Sequence, residues 1–159
     1  MRLAAFVALL ALTLGTVASA IERGPLPGFD LITQDGATVR ADVVAREGKW
    51  VIVYVHAGCR SCEAVLAAID GLDAAERARV TIVTEVKDAA DFSRVTARFP
   101  QLAAVQWLGD ANGTMGARLA PQVAAAVIGL KGTMIEWSVT GIVTDAAQAE
   151  PIVTAWLGR

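Results

Sequence analysis

Residues that bind metals or build disulfide frameworks are scarce in this sequence. Its 159 residues include 2 cysteines, Cys59 and Cys62, and 1 histidine, His56. A structural zinc site takes four protein ligands, mostly cysteine and histidine. One chain therefore cannot close such a site from these three residues. Two cysteines are also too few for a scaffold held together by several disulfides.

Clusters of basic residues are also missing. The 14 lysines and arginines face 16 acidic residues, which gives a net charge of −2. Nucleic-acid-binding domains carry a basic patch or stripe, so we expect no nucleic acid among the partners. The chain has no repeat, low-complexity tract or linker. Its hydrophobic content of 55% is enough for one domain to bury a full core.

The first 20 residues differ from the rest of the chain. Arg2 is followed by an apolar stretch from Leu3 to Leu14 and by small residues at Ala18 and Ala20. This layout is typical of a secretory signal peptide and predicts cleavage after Ala20. The stretch is short for a membrane span of about 20 residues, although an uncleaved segment would anchor the protein to the membrane. We expect residues 1–20 to be a signal peptide, residues 21–159 to form one domain, and the protein to be periplasmic or secreted.

The first half of the domain predicts a hairpin and a strand–helix–strand unit. Gln34-Asp35-Gly36 is a turn signal between two short strands. Trp50 to Val55 is apolar throughout, as in a central strand covered on both faces, and Thr81 to Val86 predicts a second such strand. The stretch from Cys59 to Leu72 between them predicts a helix, which makes a βαβ unit.

The second half predicts two helices and a strand pair. Asp88 to Phe99 is a helix with Asp88 as its N-cap, and another helix starts at Asp145. Val123 to Leu130 and Thr133 to Thr140 pair around a turn, the second strand with Ile135, Trp137 and Val139 on one face. The predicted order is β-hairpin, βαβ, α, ββ, α, an α/β sandwich around a mixed sheet.

The two cysteines fall where a strand ends and a helix begins. Cys59 is expected at the exposed tip, where the helix dipole and free backbone N–H groups stabilise a thiolate. Such a position lowers a thiol pKa from about 8.5 to roughly 3.5–7.5, and Arg60 adds a cation. Cys62 lies one turn further on, on the shielded face, and suits the role of a resolving thiol. A redox-active pair is favoured over a structural disulfide, which would close too small a loop to stabilise much.

The motifs between residues 27 and 62 resemble a known family. "PGFDL", "QDGATVRADVV" and "GKWVIVYVHAGCRSC" are similar to the redoxin, or TlpA/ResA-type, branch of thioredoxin-like proteins. The resemblance implies a thioredoxin-like three-layer α/β sandwich, a mixed central β-sheet flanked by helices, with an N-terminal β-hairpin extension. By this resemblance Cys59 is the attacking and Cys62 the resolving cysteine, and Pro121 matches the family's cis-proline opposite the disulfide.

The sequence departs from the family pattern at several positions. Gly58 replaces the usual aromatic residue before the first cysteine. The buried acid that assists the resolving cysteine in many relatives has no counterpart, since Val53 and Val65 occupy its positions. His56 could exchange a proton with a sulfur, because a histidine titrates near neutral pH; the alternative is a strand-end histidine bonded to backbone.

These observations favour an exported protein thiol–disulfide oxidoreductase with no bound cofactor or metal. Its expected partners are exported proteins that carry disulfides or dithiols, together with a membrane-bound redox protein, and the chain is expected to be a monomer. Two alternatives stay open. One is a non-catalytic thioredoxin-fold module that binds a partner or copper through Cys59 and Cys62. The other, less favoured, is a peroxiredoxin-like peroxidase, although peroxiredoxins carry threonine where this chain has His56.

Overall fold

The computed structural model describes residues 23–56, 59–120, 124–141 and 146–158. Eight strands and five helices lie in these ranges. The strands are β1 (Gly24–Pro25), β2 (Asp30–Ile32), β3 (Thr38–Arg40), β4 (Lys49–Val55), β5 (Val80–Glu85), β6 (Gln106–Asp110), β7 (Ala126–Lys131) and β8 (Met134–Thr140). The helices are α1 (Arg60–Gly71), α2 (Ala74–Arg77), α3 (Ala89–Thr96), α4 (Thr114–Leu119) and α5 (Ala146–Leu157).

The strands form one mixed sheet in the order β1-β8-β7-β4-β5-β6-β2-β3. Its centre, β4, β5 and β6, is parallel, and β7 pairs antiparallel with β4 on the other side. The predicted hairpin is confirmed as β2 and β3, and the predicted βαβ unit as β4, α1 and β5. Because β4 lies between β7 and β5, its end at Val55 is in the interior of the sheet, away from both edges.

Two apolar cores cover the two faces of the sheet. Helices α1, α3 and α5 pack on one face through Leu66, Phe92 and Val153, among others. Helix α4 packs on the other face together with the chain that includes β2, through Met115 and Leu31. Helices, sheet and helix therefore make three layers, and the predicted α/β sandwich with an N-terminal hairpin extension is confirmed.

The predicted order lacked the short β1 and α2, and it lacked two longer elements, β6 and α4. Strand β6 is five residues long and includes the buried Gly109 and Asp110, which are depleted in strands. Helix α4 has six residues and starts after Gly113, whose φ of 63° is left-handed and which offers no capping side chain. Neither element carries the local signals from which the other strands and helices were predicted.

The predicted alternation along β8 is wrong in part. Ile135 packs in the core on the α4 face, whereas Trp137 and Val139 pack against the core on the α1 face. The cause is a bulge: Leu130 pairs with Ile135 but Gly129 pairs with Trp137, so one extra residue lies in β8. An extra residue reverses the face of everything beyond it.

Among the described residues, none of the helices is both long and apolar enough to span a membrane. The predicted signal peptide, residues 1–20, lies outside the described residues, as does Asp145 at the predicted start of the last helix.

Candidate active site

Helix α1 begins at Arg60, with four residues between it and the end of β4; Cys59 lies just before its first turn and Cys62 within that turn. Cys59 is the N-cap residue, with an extended backbone, and its side chain accepts a hydrogen bond from the backbone N–H of Cys62. The distance between Cys59 Sγ and that nitrogen is 3.1 Å. That nitrogen is also 3.2 Å from the Cys59 carbonyl oxygen, so the sulfur and the carbonyl share this N–H of the helix N-terminus. The same contact would stabilise negative charge on Cys59 once the disulfide opens.

Cys59 and Cys62 form a disulfide with an S–S distance of 2.04 Å and a Cα–Cα distance of 5.3 Å. Cys59 is 7% exposed and Cys62 is 3% exposed, so both are buried and Cys59 is the more accessible. The expectation of an exposed tip is therefore wrong for Cys59 as a whole residue. The disulfide folds its side chain back over the first helical turn, where both cysteines join the apolar core of the α1 face.

Ser61 links the disulfide to the segment that precedes β7. Its hydroxyl lies 3.3 Å from Cys59 Sγ and accepts a hydrogen bond from the backbone N–H of Ala125 at 3.4 Å. The hydroxyl is therefore free to donate to the sulfur, and the residue between the two cysteines connects α1 to the chain that follows residues 121–123. The sequence pattern gave no sign of this link, because it depends on a tertiary contact.

His56 lies at the end of β4, three residues before Cys59. Its Nε2 is 3.1 Å from the carbonyl oxygen of Ala120, and a carbonyl only accepts, so Nε2 carries the hydrogen of this bond. Its Nδ1 is 3.5 Å from a carboxylate oxygen of Glu85. The imidazole also makes an edge contact with the Tyr54 ring at 5.0 Å between centroids. Among the described residues the partners of the ring are thus Ala120, Glu85 and Tyr54, not a cysteine.

The remaining predicted site residue, Pro121, lies outside the described residues, and so does Gly58. The Arg60 side chain is outside the described part as well. His56 nevertheless reaches the residue just before Pro121, since Ala120 is the acceptor of its Nε2 hydrogen bond. The described residues therefore bring together Cys59, Cys62 and His56 around one end of β4.

A small cavity of about 20 Å³ adjoins the disulfide on the α1 face. Cys59 and Cys62 line it, together with Thr84 from β5 and apolar side chains from α1 and α3. Thr84 is 1% exposed, and its hydroxyl has no hydrogen-bond partner among the described residues. Sequence reasoning missed Thr84, because a threonine inside an apolar strand is ordinary on pattern alone.

A buried acid does occur nearby, on the opposite face of the sheet. Asp110 at the end of β6 accepts hydrogen bonds on Oδ2 from the Tyr54 hydroxyl at 3.0 Å and the Gly116 N–H at 2.8 Å. Burial raises the pKa of Tyr54 far above its ordinary value, and the charge of Asp110 adds to the effect. Tyr54 and Asp110 were also missed, since β6 was not predicted. Val53 and Val65 are fully buried on the disulfide face, as apolar core residues.

The arrangement of sheet and helices matches that of several solved structures. A secreted Mycobacterium tuberculosis disulfide oxidoreductase homologous to E. coli DsbE is 19% identical with a TM-score of 0.61, over 80% of this chain and 96% of that one. The exposed lipoprotein thioredoxin of Streptococcus pneumoniae is 19% identical with a TM-score of 0.58, over 80% and 98% of the two chains. The chain has the thioredoxin-like fold.

The solved structures that share this fold with the chain also include a peroxiredoxin-like protein. A peroxiredoxin-like protein from Aquifex aeolicus is 13% identical with a TM-score of 0.59, over 89% of this chain and 91% of that one. No protein-family model matches the sequence, and no curated protein matches it either. The resemblance stated from the sequence motifs is confirmed for the fold, and the chemistry has to be argued from the site.

Proposed function

We propose that the protein is an exported thiol–disulfide oxidoreductase that exchanges disulfides with other exported proteins. The observation that carries the proposal is the position of the Cys59–Cys62 disulfide across the first turn of α1, with Cys59 as N-cap. Helix N-termini lower the pKa of a cysteine and make its thiolate a nucleophile at neutral pH. The higher exposure of Cys59 supports the attacking role for it and the resolving role for Cys62.

Disulfide exchange then proceeds in two steps in the reducing direction. The Cys59 thiolate attacks one sulfur of a partner disulfide; a mixed disulfide forms, the partner's S–S bond breaks, and its other sulfur leaves as a thiolate that takes a proton from solvent. The Cys62 thiolate then attacks Cys59 Sγ, and the second partner sulfur leaves. The partner gains two electrons and two protons, which the cysteine pair loses.

His56 completes the site as a positioning residue in this proposal. Its hydrogen bond to the Ala120 carbonyl holds the residue that precedes Pro121. In relatives of this fold a cis-proline at that point presents backbone to a partner chain, and we assign the same role to Pro121. A membrane-bound redox protein would return the cysteine pair to its starting state, and the enzyme itself needs no bound cofactor.

The first test is the equilibrium between the oxidised and reduced cysteine pair in a dithiothreitol or glutathione redox buffer, followed by tryptophan fluorescence. We expect a reversible two-electron transition. A potential near the value of about −270 mV known for thioredoxin indicates a reductase, and one near the value of about −120 mV for DsbA indicates an oxidant. The absence of any reversible transition would reject an oxidoreductase in favour of a binding module.

Single-cysteine variants assign the roles of the two sulfurs. Cys62→Ser should accumulate a stable mixed disulfide with a disulfide-bearing partner, because the resolving thiol is gone. Cys59→Ser should trap far less, since Cys62 is the more buried sulfur. Mass spectrometry of the trapped adducts measures both, and the opposite ranking would reverse the assignment.

A further inference from the structure

The buried hydroxyl of Thr84 has no structural partner that explains it. Thr84 lies in the centre of the sheet, 1% exposed, and its Oγ1 makes no hydrogen bond within the described residues. An unpaired buried hydroxyl is unfavourable for folding, and such groups are rare enough to call for a reason. Threonine and valine have nearly the same shape, so valine would fill this position without the penalty.

Thr84 is placed next to the reacting sulfurs. It pairs with Val55 in the parallel ladder between β4 and β5, just before the chain turns into the Cys59 loop. Its side chain lines the cavity of about 20 Å³ that Cys59 and Cys62 also line. A cavity holds a water molecule once about 10–15 Å³ is open to the centre of a water-sized probe, so one water fits between the hydroxyl and the disulfide.

The resolving step requires a hydrogen-bond donor to the Cys62 thiolate inside this cavity. Cys62 must react as a thiolate although it is 3% exposed within an apolar core, and burial disfavours a charged sulfur. The positions where relatives carry a buried acid hold Val53 and Val65. The charged groups that line the cavity, Glu63 on α1 and Arg98 after α3, lie at its exposed side within 4.0 Å of each other.

The remaining titratable group on the cavity wall is His56 at the end of β4. Its ring nitrogens face the Ala120 carbonyl and the Glu85 carboxylate. Within the described lining, Thr84 therefore supplies the buried polar hydrogen that has no other acceptor.

We propose that the Thr84 hydroxyl donates a hydrogen bond, through one water molecule in this cavity, to the Cys62 sulfur when the disulfide opens. The inference rests on the proposed function and names a further residue for its second step. The Cys62 thiol releases its proton along the cavity water to bulk solvent. The resulting thiolate, held by the donor, attacks Cys59 Sγ and forms the intramolecular disulfide, while the partner sulfur leaves with the electron pair of the broken bond.

Ellman's reagent separates the two steps in one experiment. With one equivalent of reagent, the reduced protein should release a first thionitrobenzoate as Cys59 attacks and a second as Cys62 resolves the mixed disulfide. We expect Thr84→Val to leave the first phase unchanged and to slow the second about tenfold at neutral pH, the effect of one hydrogen bond to a charged group. Thr84→Ser, which keeps the hydroxyl, should restore the second phase.

The reduction potential provides a readout that a purely structural role would not move. Loss of the donor destabilises the reduced state, in which it holds the Cys62 sulfur, more than the oxidised state. We therefore expect Thr84→Val to have a potential about 30 mV more negative, which is tenfold in the equilibrium constant. Thr81→Val is the matched control: Thr81 is also buried in β5, but its hydroxyl donates to Gln106 Oε1 at 2.9 Å, away from the cavity. It should change stability and leave both phases and the potential as in the parent.

The outcomes are distinguishable from failure of the proposed function. If the parent protein releases two equivalents and cycles reversibly, the function stands, and equal second phases in Thr84→Val and the parent overturn the role of Thr84. Equally slow resolution in Thr84→Val and Thr84→Ser would overturn it too. If the parent shows no second release and no reversible couple, the proposed function itself fails. Should Thr84→Val not fold by circular dichroism, Thr84→Ala against Thr84→Ser gives the same comparison.

Discussion

Tyr54 is the single tyrosine of the chain, and this makes its buried hydroxyl directly observable. Burial and the neighbouring Asp110 raise its pKa far above the value of about 10 for a free tyrosine. The unfolded chain therefore loses this proton first as the pH rises. The stabilisation is fully present below about pH 10 and is lost progressively above it. We expect the ultraviolet absorbance of tyrosinate to appear only together with the loss of circular dichroism in an alkaline titration.

The variant Tyr54→Phe tests the hydrogen bond between Tyr54 and Asp110 by removing the hydroxyl. It removes one of the two donors to Asp110 Oδ2 and leaves the Gly116 N–H in place. We expect a loss of about 1–3 kcal/mol in the free energy of unfolding at neutral pH, measured by urea denaturation. Tyrosinate forming at about pH 10 in protein with intact circular dichroism would contradict the buried bond.

Substitutions of His56 test whether its side chain positions the site or transfers a proton. His56→Ala loses the hydrogen bond to Ala120, and we expect about fivefold slower reduction of a disulfide probe, equivalent to about 1 kcal/mol. His56→Gln keeps a side-chain N–H donor and should recover most of the rate if His56 acts by positioning. A glutamine variant as slow as the alanine variant, with a changed pH profile, would show instead that His56 transfers a proton.

The residues of the candidate site that could be brought together from the sequence are close to one another in the chain. Cys59, Cys62 and His56 are within seven residues of one another, and the strand-to-helix junction placed them together. Thr84 and Asp110 come from β5 and β6, and their roles depend on which side chains meet across the sheet. A single sequence contains no periodic pattern that reports such a meeting.

At the scale of elements, the bulge in β8 makes Gly129 indispensable to the β7–β8 pair. Trp137 lies directly opposite Gly129, and a Cβ atom added there would run into its indole ring. We expect Gly129→Ala to lower the free energy of unfolding by about 1–3 kcal/mol in urea, because the indole would have to move. Gly24→Ala in β1 is the control: nothing lies within 4 Å of its added methyl group, and a change under about 0.5 kcal/mol is expected.

The elements that were predicted share strong local signals, which the missed β6 and α4 lack. Strand β4 is a continuous apolar run, and α3 has Asp88 as N-cap, whose side chain accepts from the Asp91 N–H. Strand β6 is instead stabilised by pairing with neighbouring strands. Strand β5 pairs with it along its whole length, and Ile32 of β2 pairs with Gly109 of β6. Tertiary pairing decided its conformation, and local propensity did not.

At the scale of the whole molecule, export remains a prediction from residues 1–20. Expression of the full chain in a Gram-negative bacterial host should yield a periplasmic protein that starts at Ile21, because Ala18 and Ala20 form the small-residue cleavage pattern. Mass spectrometry of the intact protein measures the new N-terminus. A double variant with Ala18→Gln and Ala20→Gln should stay uncleaved and fractionate with membranes. A parent protein that keeps residues 1–20 would contradict the signal peptide.

The two outer strands of the sheet limit how another chain could extend it. The sheet is bounded by β1, two residues long, and β3, three residues long, while its long apolar strands lie inside. Short outer strands offer few unpaired backbone groups on which another chain could extend the sheet. At β1 and β3 an added chain would therefore gain few backbone hydrogen bonds, and opening the disulfide, which lies at the end of an interior strand, leaves these two outer strands as they are.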